Sequence, residues 1–216
     1  MIKTECYPLG ALGANCYFVY DDEKEISLIV DPGSESDRLE QRINAFGADR
    51  LKYILLTHGH FDHIGGVAYF KSRYPDARIV IGEGDSDFPS EPRLNLGYHF
   101  GLEVSGFKPD ILAGDGDELT FGDKKITVLS TPGHTRGGVC YIIDDSIFTG
   151  DTLISGTTGR TDFPTGSVRQ MYASMERLAE IPDDLAVYCG HGESSTLEYE
   201  RTYNVFMRKF DHDDLY

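Results

Sequence analysis

Tryptophan is absent from the 216 residues, and methionine and cysteine occur four times each. Cys6, Cys16, Cys140 and Cys189 are scattered without CxxC spacing, which argues against a disulfide framework and for reduced, mostly buried thiols. No apolar run approaches about 18 residues, so a membrane span is not expected. The opening MIKTECYPLG lacks a basic region followed by an apolar stretch, the mark of a secretory signal, and the expected location is the cytoplasm. Repeats and Pro-, Gly- or Ser-rich linkers are missing. Positive charge is scarce: 20 Lys and Arg against 36 Asp and Glu leave a formal charge of −16. Such a surface repels phosphate backbones, so nucleic acid is not an expected partner.

Hydrophobic residues at 40% and aromatics at 12% are enough to pack a core, and one domain over 1–216 is expected. CYFVY (16–20), ISLIV (26–30), YILL (53–56) and RIVI (78–81) read as strands. Ser34 is placed to open a helix with Leu39, Ile43 and Phe46 on one face and Gly47 as its stop. A second helix follows Asp62, through Ile64, Val67, Ala68 and Phe70. Further on, ELTF (118–121), KITVLS (125–130), VCYII (139–143), SIFTG (146–150) and LAVYC (185–189) read as strands. Ser167 and Gln170 form a candidate capping box for a helix with Val168, Met171, Met175 and Leu178 inward. A last helix is expected over 196–210. The alternation predicts an α/β fold of two mixed sheets face to face with helices outside. Residues 82–116 fit it least and read as an insertion that covers the pocket.

LLTHGHFDHIGG (55–66) places His58, His60, Asp62 and His63 within six positions. His58 follows YILL, His134 follows KITVLS, Asp151 follows SIFTG and His191 follows LAVYC. Four strands that direct their carboxyl ends at one place build a site. The donors are too many for one tetrahedral ion with an open position. The natural division gives His58, His60 and His134 to one ion and Asp62, His63 and His191 to another, with Asp151 bridging. Asp62 and Asp151 are the candidate catalytic carboxylates. Two such ions share a hydroxide, because metal binding lowers the pKa of water to about 7. No Gly-x-Ser-x-Gly elbow competes for the role of nucleophile. His58, His134 and Asp151 alone would instead form the two-histidine, one-carboxylate face of non-haem iron sites. Zinc is the first expected metal, and iron and manganese suit the same donors.

THGHFDH, with TPGHTRGG around His134, FTGD at Asp151 and CGHG at His191, resembles the metallo-β-lactamase fold superfamily from NCYFV to the last helix. Within it, GDTLISGTTGRTDFPTG (150–166) and GHGESSTLEYERTYNVF (190–206) look like the short bacterial glyoxalase II-like, hydroxyacylglutathione hydrolase-like type. The resemblance implies an αββα sandwich and metal-dependent hydrolysis of a small-molecule thioester such as S-lactoylglutathione. Persulfide dioxygenases, built around one iron, share GRTDF and a similar C-terminal segment; Gly192 after His191 tilts the reading towards the hydrolase. Other esterases or lactonases of the fold, and a non-catalytic metal-binding module, stand behind these two. The resemblance makes Arg160 a candidate contact for the glutathione moiety, against a plain ion pair with Asp162. Asp31 is expected to orient a metal-bound histidine from behind. Tyr98, in the aromatic segment 88–107 with Phe88, Leu96 and Phe100, is a candidate pocket wall. Arg208 and Lys209 are further basic candidates; His99 and His212 are not expected as ligands.

Overall fold

A computed structural model describes residues 1–207; Arg208, Lys209, His212 and the end of the expected last helix lie outside the described residues. The first sheet runs β1 (Ile2–Leu9), β2 (Ala14–Asp21), β3 (Ile26–Val30), β4 (Leu51–Leu56), β5 (Arg78–Gly82) and β6 (Ile111–Ala113), in that spatial order. Its first three strands are antiparallel and the rest join in parallel. The second sheet contains β7 (Glu118–Phe121), β8 (Lys124–Ser130), β9 (Val139–Ile143) and β10 (Ser146–Gly150). A small hairpin, β11 (Leu153–Ile154) and β12 (Thr157–Thr158), follows, and then β13 (Ala186–Cys189) and β14 (Ser195–Thr196). The order in the second sheet is β14-β13-β10-β9-β8-β7, with only β10 and β13 parallel.

The strands are apolar on both faces because both faces are covered. Tyr17, Val19, Leu28, Val30, Leu55 and Val80 meet Ile126, Val128, Val139, Tyr141 and Phe148 between the sheets. Their neighbours Phe18, Ile29, Ile54 and Ile81 face outward onto helices α1 (Asp37–Phe46), α2 (Phe61–Ile64) and α3 (Val67–Arg73) through Leu39, Ile43, Ile64, Val67 and Phe70. One more turn, α4 (Gly97–Phe100), lies on the chain between β5 and β6. On the other side Cys140, Ile147 and Val187 meet Met171, Met175, Leu178 and Leu197 of α5 (Val168–Ala179) and α6 (Leu197–Tyr203). The result is the expected four-layer αββα sandwich. No helix among the described residues is long and apolar enough to cross a membrane.

Several local expectations are corrected. Helix α1 starts two residues late: Ser36, not Ser34, caps it, its hydroxyl accepting from Leu39 N at 3.2 Å. Residues 32–34 are engaged elsewhere, with Gly66 N donating to Pro32 O. The expected second helix is interrupted at Gly65–Gly66 into α2 and α3, and Gly66 packs so closely on this segment that a Cβ there would lie 2.5 Å from Ser34 O. Ser167 does cap α5, but its own N–H is donated to Gly133 O, so the capping box is half formed. Val168 is 58% exposed rather than inward, because it faces an open cleft beside Arg160, Tyr172 and Phe206. The last α-helix ends at Tyr203, where the Asn204 side chain turns away to bond Thr157 O and Glu200. Strand β1 escapes the apolar pattern because Lys3, Cys6 and Pro8 face solvent.

Candidate metal centre

The seven candidate ligands come from strand ends along one edge of the sandwich. Thr57 leads from β4 into His58, His134 lies between β8 and β9, Asp151 directly follows β10, and His191 closely follows β13. The structure brings all seven together. Ligand atoms of His58, His60 and His134 lie within 4.8 Å of one another, and so do those of Asp62, His63 and His191. Asp151 stands between the two sets. Its Oδ2 is 3.6 Å from His134 Nε2 and 3.7 Å from His191 Nε2, and its Oδ1 is 3.6 Å from His63 Nε2.

Hydrogen bonds behind the rings fix their tautomers. Asp31, in a left-handed conformation (φ 50°), accepts from His63 Nδ1 at 3.0 Å and from the Thr57 hydroxyl at 2.6 Å, both on Oδ2. The only proton of that hydroxyl goes to Asp31, so Thr57 Oγ1 accepts from His58 Nδ1 at 3.1 Å. In both rings Nδ1 is the nitrogen turned away to donate, and Nε2 is the one that faces the centre. His134 Nδ1 donates to Arg160 O at 2.7 Å, which leaves its Nε2 facing His60 Nδ1 at 2.9 Å. Asp31 also lies close to His58 and His63, but Thr57 and His63 already occupy its oxygens.

Buried polar atoms are normally hydrogen-bonded. In this cluster Nε2 of His58, His60 and His63 and Oδ1 of Asp151 are buried without a partner. Orphaned lone pairs on imidazole and carboxylate are what a divalent cation requires, so the residues fit a metal centre. Burial, reinforced by neighbouring imidazoles, holds His58 and His60 well below the usual histidine range, and burial also lowers His134. The second set is charged differently. Burial alone would lower His63, but Asp62, Asp151 and Asp31 push it up to about 10. Burial alone would raise Asp62, but His63 and His191 hold it well below the usual carboxylate range. A hydrogen bond to Asp62 raises His191.

The loop that carries His191 is tied to β2. Asn15 N donates to Gly190 O at 2.7 Å, and its side chain donates to Cys189 O and Gly192 O at 3.0 and 2.9 Å. Tyr17 adds a 2.6 Å bond to Cys189 O. A Cβ on Gly190 would lie 2.2 Å from Asp151 Oδ1, so CGHG needs its first glycine to let that carboxylate in.

A cleft of about 230 Å3 opens over the ligands, walled by Leu12, Phe61, Leu96, Phe100 and Phe163, with Arg160 at its edge. Arg160 is both a cleft residue and an ion-pair partner: its guanidinium makes 2.7 and 2.6 Å bonds to Asp162 and lies 4.1 Å over Phe163. Of the segment 82–116, Leu96 and Phe100 reach this cleft and Phe88 packs against His60. Tyr98 is 64% exposed, outside the cleft lining, with Arg93 against its ring. The sequence reading missed Thr57, Asn15 and Asp85, single polar residues without a motif of their own.

The chain matches the family model for the Metallo-beta-lactamase superfamily over residues 9–191. It is 35% identical over 212 residues to a hydroxyacylglutathione hydrolase of Haemophilus influenzae, GloC, covering 95% of this chain and 98% of that protein. Among solved structures it superposes on BLEG-1 B3 metallo-beta-lactamase with a TM-score of 0.88 and 31% identity, covering 97% of this chain and 100% of that one. It superposes on TTHA1623, solved in a di-iron-bound form, with a TM-score of 0.82 and 32% identity, covering 94% and 99%.

Proposed function

The chain belongs to the metallo-beta-lactamase superfamily, and we propose that within it the protein is a binuclear metal-dependent thioester hydrolase acting on hydroxyacylglutathione-type substrates. The observation that carries this reading is the pair of ligand sets flanking Asp151, with four buried ligand atoms unpartnered. His58, His60 and His134 would hold one ion, Asp62, His63 and His191 the other, and Asp151 both. Zinc is the first choice, and iron suits the same donors. When bound, the ions supply Lewis acidity and a hydroxide at neutral pH.

The protein's own part is orientation and exclusion. Asp31, acting on His63 directly and on His58 through Thr57, keeps two imidazoles in the ligand tautomer. The Arg160 carbonyl does the same for His134. Asp62 is held ionised by its histidine neighbours, so a negative charge stays at the mouth of the second set. Leu12, Phe61, Leu96, Phe100 and Phe163 seat the acyl group and keep bulk water off the thioester. The Arg160 guanidinium offers a cation to a carboxylate of the carrier, in competition with Asp162. Tyr98 would meet only a carrier that extends past Phe100.

Purified protein is expected to release one free thiol per S-lactoylglutathione consumed, followed with a thiol reagent. Absence of thiol release, with oxygen uptake on glutathione persulfide, would replace this reading with the mononuclear iron dioxygenase.

A further inference from the structure

One buried carboxylate has no place in the chemistry above. Asp85 ends the turn Glu83–Asp85 that follows β5, and none of its surface reaches solvent. Its Oδ2 accepts from Gly59 N at 2.9 Å and from the Thr135 hydroxyl at 2.7 Å, and its Oδ1 accepts from Gly137 N at 2.8 Å. Gly59 is the residue between His58 and His60, and Thr135 is the residue after His134. One side chain therefore joins two loops, 26 and 50 residues away in sequence, and these loops carry the three histidines of the first set. The same turn reinforces the join: Arg136 Nε donates to Gly84 O at 2.7 Å.

The second set is held by other residues. Asp31 bonds His63, and Asn15 and Tyr17 hold the segment around His191. None of the Asp85 hydrogen bonds reaches these groups.

We propose that Asp85 is a positioning residue that sets the spacing, and so the metal affinity, of the His58–His60–His134 subsite and not of the Asp62–His63–His191 subsite. The inference rests on the binuclear reading. A carboxylate is needed because all three partners are donors. In an amide of the same shape the NH2 would face a backbone N–H, that of Gly59 in one orientation and that of Gly137 in the other, and the join between the two loops would be weakened. Groups behind metal ligands are typically worth about 10–100-fold in affinity.

The test compares wild type, Asp85→Asn and Thr135→Val after loading with cobalt and dialysis against graded chelator. The readouts are cobalt per chain and the paramagnetically shifted imidazole proton resonances. Wild type is expected to hold two ions. Asp85→Asn should release one ion at about 10–100-fold less chelator, with the His58, His60 and His134 signals lost and those of His63 and His191 kept. Thr135→Val removes one of the three bonds and should shift the same subsite by less; it carries the test alone if Asp85→Asn does not fold. Two ions held as tightly as in wild type, or both weakened equally, would overturn the proposal. The second of those results would mark Asp85 as a general structural residue. A wild type that never takes up a second ion overturns the binuclear reading, and the selectivity argued for Asp85 falls with it.

Discussion

Asp151 is the residue that lies against both ligand sets, since its oxygens approach His134 of the first set and His63 and His191 of the second. Asp151→Ala is expected to lose paired metal binding and at least about 100-fold in turnover, consistent with the several kcal/mol that metal catalysis supplies. Retention of two chelator-resistant ions in that variant would refute its bridging role. His63 supports a pH prediction for the metal-free protein. Its folded value of about 10 lies above the ordinary 6.5, so the folded state holds a proton that the unfolded chain gives up near 6.5. That contribution is complete below about pH 6.5 and is lost as pH rises towards about 10. Urea unfolding of chelator-treated protein should therefore show lower stability at pH 9.5 than at pH 7, and a rise over that interval would contradict the charge assignment at His63.

At the scale of elements, the strands were legible because burial on both faces leaves continuous apolar runs such as CYFVY and SIFTG. Strand β1 was not, because Lys3, Thr4 and Glu5 interrupt the apolar run and the strand is only partly buried. Helix starts were less legible still. Both Ser34 and Ser36 are chemically able to cap, and the choice between them is made by Gly66 packing on residues 32–34, about thirty positions downstream. This separation can be tested. Ser36→Ala should cost about 1 kcal/mol of stability and Ser34→Ala only a few tenths, measured by chemical denaturation. Equal losses would show that the cap is shared or misplaced. Val168 makes a similar point: its spacing matches the buried methionines of α5, but the packing that would cover it is an open cleft.

At the scale of the whole molecule, the sandwich gathers four strand ends at one edge, and the candidate ligands stood out because histidine and aspartate occupied those ends. The residues that hold the ligands did not stand out. Asn15 works on a loop 174 residues away, Asp31 on Thr57 26 residues away, and Asp85 on two loops at once. Such pairings carry no local periodicity or spacing, so only the folded chain reveals them. The cleft wall is similar, since Leu12, Phe100 and Phe163 come from three distant segments. The central claim is that this edge holds two ions at once. It is tested most directly by elemental analysis of protein purified without added metal: two divalent ions per chain are predicted, and a single iron per chain, unchanged by further loading, would contradict it.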